Sequence, residues 1–321
     1  MTRGEKIVAF IEAYCKIPEG GHVGQPIKLM KFQKQFILGV YDNPHGTSRA
    51  YLSVARKNGK SALIAAVLLA HLVGPEAKQN SQIISGARSR DQAILVFKLA
   101  EKMIKLSPEL SKIVRIVPSQ NMLIGLICNV EYRAISAEGG TAHGYSPTLA
   151  ILDEVGQVRG PHDAFIEAIE TAQGAHLDPL LIAISTQAAT DGDLFSIWLD
   201  DAAHAKDKRI ISHLYTAPKD CQILDQEAWK IANPALGKFR SLKDIEDFAE
   251  QADRLPAKAN SFHWLYLNQR IESQSPFLSR AEWEANSSSP QLEAGDICFA
   301  GLELSASRGF DSAGFGFSER W

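Results

Sequence analysis

Two runs, Leu149-Ala-Ile-Leu152 and Leu180-Leu-Ile-Ala-Ile184, are apolar at every position. A strand with one wet face alternates apolar and polar residues, so an unbroken apolar strand must be covered on both sides. Other segments supply the cover. Ala50–Val54 and Gln82–Ser85 read as strands, and 60–73 and Ser89–Leu106 read as helices. Further strands are expected at 113–117, 122–127 and 131–135. Strands alternating with helices imply an α/β fold with a mainly parallel sheet flanked by helices.

The rest of the chain frames that core. Ile7, Val8, Phe10, Ile11 and Tyr14 recur at helical spacing, and a second helix is expected from Met30 to about Tyr41 before the turn Asp-Asn-Pro-His-Gly at 42–46. This gives a helical N-terminal segment at 1–47 and a core at 48–200. Residues 194–206 and 225–270 read as mostly helical, with a polar break at Ala232-Asn-Pro-Ala-Leu-Gly237, so 201–285 is expected as a small, mostly helical linker subdomain. Residues 286–295 have linker composition, and two short strands, Ile297–Leu304 and Ala313–Phe317, follow. The chain has 321 residues, enough for roughly two domains.

Charge and cysteines narrow the function. Lys and Arg total 34 against 37 Asp and Glu, a formal net charge of −3. A nucleic-acid partner would therefore be held by a local patch. Cys15, Cys128, Cys221 and Cys298 form no CxxC pair, which argues against a disulfide framework or a zinc site and for a reducing compartment. The most apolar run, Ala62–Val73, is broken by His71 and falls short of the about 20 residues a membrane span needs. The N-terminus lacks a signal-peptide core. A soluble, cytoplasmic protein without a membrane partner is expected.

Three constellations carry chemistry. Val54-Ala-Arg-Lys-Asn-Gly-Lys-Ser61 lies between an expected strand and an expected helix. A phosphate loop needs a glycine for close backbone approach, a lysine for the β- and γ-phosphates, and a hydroxyl for Mg²⁺. Gly59, Lys60 and Ser61 supply these, although Val54 replaces the usual first glycine. Asp153 and Glu154 follow the apolar strand 149–152 at its C-terminal end, where ligands bind in open α/β sheets. The first suits an Mg²⁺ shell and the second can activate water. Ala183-Ile-Ser-Thr-Gln187 ends another strand in polar groups suited to sensing a γ-phosphate.

The order and wording of these segments resemble the large terminase subunit of tailed bacteriophages. The resemblance runs through Gln33 in KFQKQF, ARKNGKS at 55–61, SGARSRDQA at 85–93, KMIKLSPEL at 102–110, TAHGYSPTLAILDE at 141–154, PLLIAISTQ at 179–187 and ANPALG at 232–237. ARKNGKS is the most specific, because that family carries a deviant phosphate loop with an Arg-Lys or similar pair before Gly-Lys-Ser/Thr.

The resemblance implies a P-loop NTPase-type sheet that hydrolyses Mg·ATP to move double-stranded DNA into a procapsid. Its cofactor-binding residues would be Gln33, Arg56, Lys57, Asn58, Gly59, Lys60, Ser61 and Gln187, with Ser61 and Asp153 on Mg²⁺. Glu154, Arg56 and Lys60 would be catalytic, Arg56 as an arginine finger with Arg88 and Arg90 as rivals, and Gln33 reading adenine. Thr186 and Gln187 would couple hydrolysis to DNA movement, and His143 would shape the loop before the carboxylate strand. The implied partners are DNA, a portal protein, a small terminase subunit and further copies of the chain in a ring, in the cytoplasm of a bacterial host.

After the linker, 286–321 resembles the truncated start of a ribonuclease-H-like nuclease, a β-hairpin stub. Gly301-Leu-Glu-Leu-Ser305 places Glu303 where that family carries a metal-binding aspartate. Nuclease activity is therefore expected to be absent, and Asp311 reads as a turn carboxylate. Lys98, Lys102, Lys105 and Lys112 read as a solvated helix face. Two other readings stay open: a helicase-like DNA-dependent ATPase, which would need a second motor domain, and a prophage remnant that binds nucleotide or DNA without turnover.

Overall fold

The apolar runs become adjacent strands at the centre of an eight-stranded sheet. The computed structural model describes residues 1–137, 144–204 and 206–271, with backbone strands at 299–302 and 313–316. The strands are β1 (Arg49–Ser53), β2 (Gln82–Ala87), β3 (Val114–Val117), β4 (Met122–Gly125), β5 (Val130–Ser136), β6 (Pro147–Asp153), β7 (Leu180–Ser185) and β8 (Ile210–Leu214). Their order is β3-β4-β5-β2-β6-β7-β1-β8. From β5 through β8 every pairing is parallel, and only β3-β4 and β4-β5 are antiparallel.

Alternation along each central strand feeds two cores. Ala50, Leu52, Leu149, Ile151, Leu180, Ile182 and Ile184 point into one. That face is covered by α1 (Arg3–Tyr14), α2 (Lys31–Tyr41), α3 (Lys60–Leu72) and α4 (Arg90–Leu106), which share its cluster. Tyr51, Ala150, Leu152, Leu181 and Ala183 point into the other, against α6 (Ala164–Ala172) and α7 (Leu194–His204). Burying each Leu or Ile on these faces contributes about 1.5–3 kcal/mol, which is why the strands read as continuous apolar runs.

A third cluster joins α8 (Gln226–Ala232), α9 (Leu242–Arg254) and α10 (Pro256–Tyr266) through Trp229, Ile245 and Phe262. It also contains Ala55, from the loop after β1. The helical segment is thus packed directly on that loop.

Three features depart from the sequence reading. The core sheet continues past 200, because β8 pairs in parallel with β1. Ser107-Pro108 ends α4 but also starts α5 (Pro108–Ile113), with Ser107 capping the new helix and proline in its first turn. The helix α6 carried no expectation. The linker 286–295 lies outside the described residues, and within 275–321 the strands β9 (Phe299–Leu302) and β10 (Ala313–Gly316) pair antiparallel, as the expected hairpin requires. Among the described residues no helix is long and apolar enough to cross a membrane.

Candidate functional site

Parallel pairing brings the ends of β1, β7 and β6 to one edge of the sheet. Ser53 of β1 is in register with Ser185 of β7, and Ile184 of β7 with Asp153 of β6. The loop leaving β1, the polar end of β7 and the carboxylates of β6 are therefore neighbours, although 92 residues separate Ser61 from Asp153 in sequence.

The loop from Val54 to Gly59 turns sharply, with Lys57 at φ 64° and Gly59 at φ 77°. Only glycine adopts the left-handed region without penalty, and Gly59 uses that freedom to start α3 directly at Lys60. Lys60 is buried, and its Nζ donates to the Val54 carbonyl at 2.9 Å and the Ala55 carbonyl at 3.3 Å. Burial holds its pKa below the ordinary lysine value, with the charges of Glu154 and Asp153 opposing that shift.

Ser61 Oγ donates to Asp153 Oδ2 at 3.1 Å. Burial raises the Asp153 carboxyl to about 7 and the Glu154 charge adds to the shift, while Lys60 and the Ser61 hydrogen bond pull the other way. Asp153 Oδ1 and Glu154 Oε2 are buried without a hydrogen-bond partner. Buried polar atoms in folded proteins are nearly always satisfied, so orphaned oxygens on two successive carboxylates are free to take a ligand. Ser61 Oγ and these carboxylates are hard oxygen donors, the set that suits Mg²⁺.

Glu154 stands in left-handed backbone conformation, φ 58° and ψ 37°. A non-glycine residue there costs about 1–3 kcal/mol and persists only where its surroundings impose it. The imposing contact is at Gly156, where a Cβ would fall 2.3 Å from the Thr186 carbonyl oxygen and 2.7 Å from Ser185 Oγ. The Gly156 N–H donates to Ser185 Oγ at 2.9 Å, and the Glu154 N–H to the Ile184 carbonyl at 2.9 Å. The end of β7 therefore fixes how Glu154 leaves β6. Thr186 itself is buried in this contact.

Gln33 lies on α2 with its Oε1 accepting from the Met30 N–H at 2.9 Å. Its Nε2 is 3.7 Å from the point where a Cβ on Gly59 would sit, so the structure brings it to the loop between β1 and α3. Arg56 is exposed on the loop, and its backbone N–H donates to the Leu265 carbonyl at 3.0 Å. Arg88 is exposed after β2, with Nη1 3.5 Å from the Gln157 carbonyl.

Three of the expected nucleotide ligands have side-chain partners within the protein. Asn58 is buried, and its Nδ2 donates to the Ala55 carbonyl at 3.0 Å and to Asn233 Oδ1 at 2.8 Å, while its Oδ1 accepts from the Ala235 N–H at 3.2 Å. Lys57 Nζ pairs with Asp244 at 3.0 Å. Burial pushes the Asp244 carboxyl up, but the hydrogen bond from Lys57 and the charge of Arg240 outweigh it and hold the group below its ordinary value. The Gln187 amide donates to Thr216 Oγ1 at 3.2 Å and to the Asn268 carbonyl, and accepts from Arg270 Nε at 3.0 Å. Each of these side chains ties the sheet edge to α8–α10 or the residues after them.

Sequence reasoning missed those ties. Asn233, Arg240, Asp244, Trp264, Asn268 and Arg270 surround the loop and the end of β7, and only Asn233 fell within a segment singled out beforehand. The polar, proline-bearing break at 232–237 was the available signal. Lys102 pairs with Glu19 at 2.5 Å and Lys105 with Glu101 at 2.7 Å, as a solvated helix face would. His143, Glu303 and Asp311 lie outside the described residues.

Comparison with known proteins places this chain in a family. Residues 31–199 match the family model for the ATPase domain of the terminase large subunit, and 204–320 match that for its endonuclease domain. The second match begins far upstream of 286, where the sequence reading places the start of a nuclease-like segment, and takes in β8 and α8–α10. The chain is 61% identical over 306 residues to the large terminase subunit of Enterobacteria phage HK97, covering 95% of this chain and 60% of that protein. It thus spans about three fifths of the relative's length. The HK97 large terminase crystal structure superposes with a TM-score of 0.82 at 60% identity, over 95% of this chain and 63% of that one. The large terminase ATPase domain of Thermus phage P74-26, at 18% identity and a TM-score of 0.54, covers 76% of this chain and 94% of its own, and shares the fold.

Proposed function

The chain belongs to the terminase large subunit family, and from that premise we propose that its eight-stranded core hydrolyses Mg·ATP to drive double-stranded DNA into a procapsid. The observation that carries this reading is the convergence of Lys60, Ser61, Asp153 and Glu154 at one sheet edge, with two buried carboxylate oxygens unpartnered.

The roles follow from the geometry. Phosphate oxygens are stronger acceptors for an ammonium than backbone carbonyls, so a bound nucleotide would draw Lys60 Nζ from Val54 and Ala55. The N–H groups of the loop and of the first turn of α3 would cradle the phosphates. Ser61 and Asp153 would hold Mg²⁺, which when bound neutralises charge between the β- and γ-phosphates. Glu154, set off from β6 by its left-handed backbone, would orient and deprotonate the attacking water. Arg56, exposed beside Lys60, would meet charge developing on the γ-phosphate. Thr186 and Gln187, just after β7, the strand between β1 and β6, would pass the state of that site to the residues after α10. Assembly into a ring on a portal protein, with a small terminase subunit delivering DNA in the host cytoplasm, completes the reading.

Steady-state phosphate release from Mg·ATP, with and without linear double-stranded DNA, tests it. Turnover that rises with DNA and falls by about 10²–10³-fold in Lys60→Ala, the scale for removing one preorganised charge, is the expected result. Turnover unchanged in Lys60→Ala would place the chemistry elsewhere.

A further inference from the structure

The turn between α8 and α9 presents an aromatic ring that the phosphate chemistry does not use. Phe239 keeps 49% of its surface exposed, yet its position is fixed from both sides. Upstream, Asn58 of the phosphate loop holds Asn233 and the Ala235 N–H. Downstream, Arg240 is buried, with Nη1 2.6 Å from Asp244 Oδ2 and its guanidinium 5.3 Å from the Tyr266 ring centroid. A Cβ on Gly59 would meet Phe239 Cζ at 3.2 Å and Cε2 at 3.3 Å, and Gln33 Nε2 at 3.7 Å. A half-bare ring and an amide donor therefore converge on the same glycine of the loop.

Phosphate gains nothing from an aromatic ring, whereas a nucleobase offers a π-face to stack and ring nitrogens to accept from an amide. We propose that Phe239 is the base-stacking residue of the nucleotide site, holding a purine ring against its exposed face while Gln33 Nε2 donates to the ring edge. This rests on the reading of the Lys60 loop as a nucleoside triphosphate site. The helical segment then contributes a ligand contact, and the Asn58 side chain acts as a positioning residue: it holds the turn that carries the stacking ring.

Calorimetric titration with Mg·ATPγS and with Mg·tripolyphosphate separates base from phosphate. Stacking is worth about 1–3 kcal/mol per base, so Phe239→Ala should weaken ATPγS about 5- to 150-fold and leave tripolyphosphate within about twofold. Phe239→Trp should restore ATPγS affinity. Equal loss on both ligands would mean that the ring merely braces Gly59, and no loss on either would mean that it touches no ligand; each result overturns the proposal. Lys60→Ala, run alongside, should weaken both ligands. If it weakens neither, the nucleotide reading of the loop fails, and the stacking proposal with it.

Discussion

Two polar clusters sit side by side on one edge of the sheet, and they differ in how completely they are satisfied. At the end of β7, Gln187, Asn268, Trp264 and Arg270 interlock. The Trp264 indole N–H donates to the Gln187 carbonyl at 2.7 Å, the Gln187 N–H donates to Asn268 Oδ1 at 2.7 Å, and Arg270 reaches Asp200 at 2.7 Å and Asp191 at 2.9 Å. At the end of β6, one strand away, Asp153 and Glu154 keep buried oxygens without partners, and the Asp153 carboxyl is pushed up to about 7. The first cluster is a joint between the sheet and the residues after α10. The second is incomplete by itself, and incompleteness of this kind is what a bound substrate resolves.

The contrast is sharpest where function and stability part. Lys60→Ala should remove turnover on the scale given above while shifting the melting temperature little, because the Val54 and Ala55 carbonyls it strands are offset by the desolvated charge it removes. Gln187→Ala should do the reverse. It strands the buried Asn268 carbonyl and one face of Arg270, so it should lower unfolding free energy by about 1–3 kcal/mol in urea titrations and leave phosphate affinity nearly unchanged. A Gln187→Ala protein of parental stability that fails to bind nucleotide would dissolve the distinction. Smallest is Lys57→Ala. Its ion pair with Asp244 leaves the lysine mostly exposed, so the stability change should stay within about 0–1 kcal/mol. A loss of several kcal/mol there would show that the exposed pair, rather than Asn58, holds the helical segment to the loop.

How much of this could be read from the chain depended on the distance over which each residue is satisfied. The central strands announced themselves because both faces of β6 and β7 are buried, and α4 because its apolar positions recur every turn. That Lys60, Ser61 and Asp153 meet was legible because strand–loop–helix context brings such residues to one sheet edge. Strand β8 was not, since Ile210-Ile-Ser-His-Leu214 is only partly buried and pairs because β1 offers an open edge. The resemblance makes Asn58 a nucleotide ligand, and its tie to the helical segment was hidden because its amide partner Asn233 lies 175 residues away. Phe239 went unmarked for the same reason, since its meaning comes from Gly59 and Gln33 and not from its neighbours in sequence.

The most direct test of the account is a paired measurement on Glu154→Gln: Mg·ATP affinity and steady-state turnover in the same preparation, with linear double-stranded DNA present. If Glu154 activates water while Lys60 and the loop bind phosphate, turnover falls by about 10²–10⁴-fold, the range for a general base, and affinity stays within about threefold. Parental turnover in Glu154→Gln would contradict the account, because the unpartnered carboxylate that marks the site would then take no part in its chemistry.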